Sequence, residues 1–228
     1  MPVTVRVLSY NVHMQQDDLD ALAAVVYEVA PDVVCVQEAP RRFRWRHRCS
    51  ELARRLGLVY AAGGLPSMGN LILTNLRVRV HDTWCERLPF TPGRHMRGAA
   101  FARCSVGKVP FVVAGSHLSI DPAERPRQGR ALKELLGKIS EPVVLGADVN
   151  DTPGSDCWQI LADGLVDAAA ATGNAHRHTF PAAGPYDRID VLFADPRFEV
   201  VRYDVIETDQ ARRASDHLPI LADLALAA

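Results

Sequence analysis

A mixed α/β or α+β sheet protein is the fold class this sequence predicts, and three observations carry that expectation. Short apolar runs rich in Val, Ile, Leu and Phe recur from one end of the chain to the other, at lengths that suit strands better than helices. Helical stretches with capping residues separate only some of these runs, while other runs follow one another directly. No repeat, low-complexity tract or Pro/Gly/Ser linker interrupts the pattern, so residues 1–228 read as a single domain.

The elements follow in order. Residues 3–10 (VTVRVLSY) form the first strand candidate, rich in β-branched residues. Asp17-Asp18 then cap a helix, LDALAAVVYEVA, which stops at Pro31. A strand is expected at 32–37 (DVVCVQ), and Ser50 caps a short helix, ELARRL, that ends at Gly57. Strands follow at 70–74 (NLILT), 77–83, 98–105 and 109–116 (VPFVVAGS). Residues 126–138 open with Pro126 and place Leu132, Leu135 and Leu136 on one helical face. A strand at 142–147 (PVVLGA) precedes a shorter helix at 155–163 (SDCWQILAD), ended by Gly164. The last strands are expected at 189–194, 198–206 and 218–225.

Composition excludes whole classes. The 228 residues are 48% hydrophobic and 23% charged, which is ordinary for a globular chain and wrong for a disordered or fibrous one. Twenty-six basic residues against 27 acidic ones give a net charge of −1. That excludes a whole-molecule polyanion binder and leaves room for a local basic patch. No apolar run approaches the ~20 residues of a membrane span, so stable membrane association is not expected. The opening Met1-Pro2-Val3-Thr4 lacks the charged and apolar regions of a signal peptide, and export is not expected. Cys35, Cys49, Cys85, Cys104 and Cys157 are scattered and odd in number, the usage of reduced thiols in the cytoplasm. No Cys/His pair has the spacing of a structural zinc site, and His176 and His178 lack a second ligand pair.

One pattern carries chemistry. The apolar run VRVLSY ends in Asn11, DVVCVQ in Glu38, FVVAGS in His117, and VVLGA in Asp148 with Asn150 two residues on. The run near 190 carries Asp190, and Asp216-His217 immediately precede LPILADL. Strand ends emerging at one edge of a packed core would gather these side chains into one cleft. Asp148 and Asn150, spaced by two, point to the same face of a strand, whereas adjacent Asp216 and His217 diverge unless a loop re-aims one. Taken singly, an Asp or Asn after a strand is a turn former or a cap, and a lone His is a satisfied core residue. Together they crowd Glu38, Asp148, Asp190 and Asp216, which is costly unless a cation or histidines offset the charge.

The stretches Leu8–Asn11, Val36–Glu38, Gly69–Leu73, Gly115–Leu118, Gly146–Asn150, Arg188–Asp190 and Ser215–Pro219 resemble the endonuclease/exonuclease/phosphatase superfamily, in that family's order. The S-D-H-x-P element and the G-x-D-x-N element are the most specific of them. The resemblance implies a four-layer α/β/β/α sandwich of two mixed sheets flanked by helices, with the site at one edge of both. It implies a phosphoric ester hydrolase that uses Mg²⁺ or Mn²⁺, held principally by Glu38 with Asn11 and Asp216; hard oxygen ligands suit those ions. Asp148 would orient or deprotonate the attacking water, Asn150 would hold a phosphate oxygen, and His117 would face the phosphate. His217 would be hydrogen-bonded to Asp190, and either Asp148 or His217 serves as the base. A carboxylate partner raises a histidine pKa and a nearby divalent cation lowers it, so the acidic limb of activity is expected within about a unit of 6.5–7. The pattern departs from the family at Ala147, where Gly or Asp is commoner, and Asp187 lies close enough to Asp190 to compete for the histidine.

The substrate is a phosphate ester, with nucleic acid among the candidates. The segment Pro40–Cys49 interleaves Arg41, Arg42, Arg44, Arg46 and Arg48 with Phe43 and Trp45, a pattern that grips phosphates and stacks on bases, or else a solvated helix face with aromatics packed inward. A second basic loop, Arg94-His95-Met96-Arg97, precedes the 98–105 strand. Arg44 and Arg97 are the candidate substrate-phosphate residues. The leading activity is hydrolysis of a phosphodiester by water attack at phosphorus. The alternative is a phosphomonoesterase or lipid-headgroup phosphodiesterase, and a non-catalytic interaction domain is a third.

Overall fold

The computed structural model describes residues 2–227. The chain begins with β1 (Val3–Asn11), α1 (Leu19–Val29), β2 (Val33–Gln37), α2 (Trp45–Arg55), β3 (Val59–Gly64) and β4 (Asn70–Thr74). It continues through β5 (Arg79–Arg87), β6 (Gly98–Val106), β7 (Val109–His117), α3 (Arg125–Gly137), β8 (Val143–Asp148) and α4 (Asp156–Ala162). It ends with β9 (Val166–Asp167), α5 (Ala168–Ala171), β10 (Asp190–Ala194), β11 (Phe198–Val205), α6 (Asp209–Ala214) and β12 (Ile220–Leu226).

These strands build two six-stranded mixed sheets, ordered β11-β12-β1-β2-β4-β3 and β5-β6-β7-β8-β10-β9. Helices α1, α2 and α6 cover the outer face of the first sheet, and α3 and α4 cover the second, so the molecule is the four-layer sandwich that the resemblance implied. The central strands are buried on both faces, which is why VVCVQ, NLILT and VVLGAD read as continuous apolar runs rather than alternating ones. Between the sheets, Val7, Cys35, Ile72, Ala102, Phe111 and Val144 belong to one core. Trp158, Leu132, Leu161 and Phe193 belong to a second core beneath α3 and α4.

Where the sheets approach most closely the residue has no side chain. A Cβ on Gly146 would sit 2.8 Å from Cys35 Cβ and 3.2 Å from Ser9 Cβ. The glycine of the G-x-D-x-N element therefore lets β8 press against β1 and β2, two residues before Asp148.

Three expectations change. The second helix starts at Trp45 rather than after Ser50, so Arg46 and Arg48 of the Arg-rich segment are helical while Arg41, Arg42 and Arg44 lie in the loop before it. Arginines are strong helix formers, and Trp45 anchors the first turn by packing against Gly64. The strand expected at 77–83 lies at Arg79–Arg87, after a turn over residues 76–77. Strand β3 (VYAAGG) was not expected; its small residues give no apolar signature, and pairing with β4 makes it a strand.

Candidate active site

Strand register assembles the site. In the second sheet Asp148 is flanked by His117 on β7 and by Asp190 on β10, both directly in register. In the first sheet Asn11 pairs with Gln37, the residue before Glu38. The ends of four strands and the start of a fifth thus meet at one edge of both sheets, the place where a sandwich leaves an open crevice.

The loops then aim the side chains. Glu38 has φ +57° and Asn150 has φ +50°, left-handed conformations that are strained for residues with a Cβ. Glu38 is held there by its neighbour: Ala39 N donates to Gly69 O at 2.8 Å. Asp216 and His217 lie in a bend before β12, and their side chains diverge there. Ala182 N donates to Asp216 O at 2.7 Å, and Leu218 N donates to Thr179 O at 2.8 Å, pinning the turn from both sides. Ser215 Oγ donates to the Asn11 carbonyl at 2.6 Å, tying this loop to β1. As a result the His217 side chain is 6% exposed, while that of Asp216 is 41% exposed and lies at the rim, 3.8 Å from His13 Nε2.

Asp148 is the hub. Its Oδ2 accepts from Asn11 Nδ2 at 2.9 Å and lies 3.3 Å from His117 Nε2 and 3.8 Å from His217 Nε2. Its Oδ1 accepts from the Asn150 backbone N–H at 3.0 Å. Asn11, expected among the metal ligands, donates through Nδ2 to Asp148 and accepts at Oδ1 from His13 N at 3.1 Å, so it also orients the hub.

The two imidazoles are shifted in opposite directions. Nδ1 of His217 lies 3.0 Å from Asp190 Oδ2, and Asp187, the competing carboxylate, is absent from this pairing. Burial disfavours charge on His217, but Asp190 and Asp148 outweigh it and push the pKa up to about 10. His117 goes the other way, down to about 3, because burial dominates and Arg97 opposes the attraction of Asp148. Asn150 Nδ2 donates to the Leu118 carbonyl at 3.1 Å and lies 2.9 Å from His117 Nε2. That Nε2 also lies 3.3 Å from Asp148 Oδ2, and Nδ1 lies 4.0 Å from Glu38 Oε1.

All eight catalytic and metal candidates are thus linked by direct contacts or through Ser215 and His13. Two features escaped sequence reasoning. His13 reaches Asp216 from a turn in which His13, Met14 and Gln15 all have positive φ, a conformation with no sequence signature here. Ser215 lies in the S-D-H-x-P stretch, and its hydroxyl proves to be the tie between β1 and the histidine loop.

Of the substrate candidates, Arg97 is 9% exposed and its Nε has no hydrogen-bond partner. It lines a cleft of about 740 Å³ together with Glu38, His117 and Arg44. Phe43 is 86% exposed and free to stack. Trp45 is not: it packs on Gly64 and carries the Arg46 guanidinium 4.4 Å over its ring.

The donor set fits a divalent cation. Asp148, Asp190 and His217 present ligand atoms within 4.8 Å of one another, and Glu38 and Asp216 add carboxylates at the same edge of the sheets. The raised pKa of His217 shows how strongly the carboxylates of Asp190 and Asp148 favour positive charge at this edge.

Comparison with known proteins gives the same picture. The model of the Endonuclease/Exonuclease/phosphatase family matches residues 8–217. No curated protein matches the chain. Among solved structures, an endonuclease/exonuclease/phosphatase family protein of Bacteroides thetaiotaomicron aligns with TM-score 0.85 at 19% identity, covering 100% of both chains. The mannosyl-6-phosphatase Bt3783 of the same organism aligns with TM-score 0.81 at 19% identity, covering 96% of this chain and 99% of that one. TDP2 of D. rerio, complexed with a single-strand DNA product, aligns with TM-score 0.78 at 19% identity, covering 97% and 98%.

Proposed function

Because this chain belongs to the Endonuclease/Exonuclease/phosphatase family, a family of phosphoric ester hydrolases, we propose that it hydrolyses a phosphodiester by water attack at phosphorus. One observation carries the reading: Asp148 sits between two imidazoles of opposite character, with Asn11 and Asn150 fixing both of its oxygens. A lone structural carboxylate needs one partner. This one is oriented from every side and buried directly behind His117, which lines the open cleft.

Glu38, with Asp216 and the Asn11 amide nearby, would hold Mg²⁺ or Mn²⁺. Bound there, the ion supplies positive charge against the phosphate oxygens and the leaving oxygen. The protein does the rest. Asp148 takes the proton of the attacking water, or His217 does from its neutral form; Asp190 fixes the His217 tautomer and supports the positive charge it then gains. His117 would face the phosphate, and Asn150 would hold one of its oxygens. Arg97, whose buried Nε has no hydrogen-bond partner among the described residues, receives the anionic ester. The five free thiols support a cytoplasmic location.

A phosphomonoester is the second reading, favoured by Arg97, whose unpaired guanidinium suits a dianionic terminal phosphate, and by the similarity to a mannosyl-6-phosphatase. Plasmid DNA, single strands, RNA, bis-p-nitrophenyl phosphate and inositol phosphates, each assayed with Mg²⁺ and with EDTA, separate the readings. Hydrolysis of a diester that EDTA abolishes supports the first; turnover of monoesters alone supports the second. Turnover of none of them points to a non-catalytic domain.

A further inference from the structure

The wall of the cleft formed by α2 carries positive charge that the catalytic groups do not use. Arg44, His47, Arg48, Glu51 and Arg55 line it, spaced by three or four residues and so on one helical face. The loop before α2 adds Arg41 and Arg42 to the same wall. An arginine-rich helix face is ordinarily solvated and laced with ion pairs. Two residues here fit that description: Arg55 Nη2 donates to Asp20 Oδ1 at 2.6 Å, and Glu51 is taken by Arg54 at 2.6 Å. Arg42, Arg44 and Arg48 have no carboxylate partner among the described residues, and Arg41 bonds only the Met68 carbonyl, at 3.1 Å.

That concentration of unpaired cations stands out in a chain of net charge −1. Like charges on one wall repel, and an anion in the cleft removes the repulsion. The wall is continuous with the catalytic end, since Glu38, Arg97 and His117 line the same cavity of about 740 Å³. Arg44 and Arg55 lie roughly 16 Å apart along the helix, at about 1.5 Å per residue. A single phosphate at the catalytic end does not reach along such a wall.

We propose that this α2 wall is a second phosphate subsite, so that the substrate is a phosphate ester bearing at least one further phosphate, gripped by Arg42, Arg44 and Arg48. The inference rests on the phosphoesterase reading. The further phosphate belongs either to the next unit of a nucleic-acid strand or to a small polyphosphorylated molecule; the chemistry recognised is the same.

Two variants test it. Arg42→Gln/Arg48→Gln removes two exposed, unpaired charges from the wall. Arg79→Gln/Arg130→Gln removes two exposed charges elsewhere and controls for net charge. Binding of inorganic tripolyphosphate in EDTA, measured by calorimetry, is expected to weaken at least tenfold in the wall variant and to stay within twofold in the control. With Mg²⁺, KM for a single-stranded octanucleotide, or for an inositol polyphosphate, is expected to rise ten- to hundredfold, with kcat within about twofold. Whichever substrate shows the rise identifies the source of the phosphate. For the octanucleotide, the salt dependence should also flatten, by about 0.7 in log–log slope for each arginine–phosphate pairing removed. Equal tripolyphosphate affinity in wild type and both variants overturns the subsite even if the enzyme turns over a simple diester. Weakened binding in the wall variant alone, with no turnover of any ester, keeps the subsite and overturns the phosphoesterase reading instead.

Discussion

Nδ1 of His217 lies 3.0 Å from Asp190 Oδ2, with both side chains buried at the edge where the two sheets meet. The pair acts as one unit if Asp190 works through the imidazole. Asp190→Asn is then expected to lower kcat by about 10²–10⁴-fold with little change in KM, the range for a lost acid–base group. His217→Ala should lose at least as much, and the double variant should lose far less than the product of the two. Steady-state kinetics of the three variants check this; multiplicative losses exclude the dyad and make Asp148 the base.

Metal removal has a separate signature. EDTA should abolish hydrolysis, and Mg²⁺ or Mn²⁺ should restore it. Glu38→Gln should weaken ion binding by at least tenfold in calorimetry. Its melting temperature should stay close to wild type, because the side chain lies at the cleft and outside the cores. Full activity in EDTA contradicts the proposal.

The two histidines give the metal-free protein a stability maximum. A free histidine titrates near 6.5. His217, raised to about 10 by Asp190 and Asp148 against burial, stabilises fully below that point and loses its contribution as pH climbs toward 10. His117, lowered to about 3 chiefly by burial, contributes fully above 6.5 and loses it as pH falls toward 3. Urea unfolding in EDTA should therefore show falling stability on both sides of about pH 6.5. His217→Gln should flatten the alkaline side only; an unchanged alkaline slope contradicts the raised value.

Arg97 trades stability for binding. Its guanidinium is buried, with Nε unpartnered, and desolvation lowers its pKa against the pull of Asp148 and Glu38. Arg97→Met is expected to raise KM at least tenfold while stabilising the fold by about 1 kcal/mol, or roughly 2–4 °C in melting temperature. A destabilised variant with unchanged KM would show that the residue is structural.

Gly146→Ala tests the close approach of the sheets. The new Cβ would meet Cys35 Cβ at 2.8 Å and its Sγ at 2.9 Å, the second of which Cys35→Ala removes. A loss of about 1–3 kcal/mol is expected in denaturant unfolding. Cys35→Ala, by making room, should recover part of it.

Most strands were legible in the sequence because burial on both faces writes a continuous apolar run, and each run ends at the polar residue that leaves the core. Asn11, Glu38, His117, Asp148, Asp190 and His217 could be identified in that way, and the order of their motifs carried the resemblance. What local sequence could not hold was the relation between them. Strand register set Asp148 between His117 and Asp190, and two sheets packed through Gly146 brought Asn11 onto the same carboxylate. The expectation for His217 set one carboxylate against a divalent cation; in the metal-free fold Asp148 adds to Asp190 and pushes its pKa up to about 10. Opposite pKa shifts for two histidines, Arg44–Arg48 as a wall of the cleft and Trp45 as an anchor all depend on contacts between residues distant in the chain. Pattern and propensity are properties of neighbours along the sequence; burial, desolvation and coulombic pairing are properties of neighbours in space, and only the folded structure decides those.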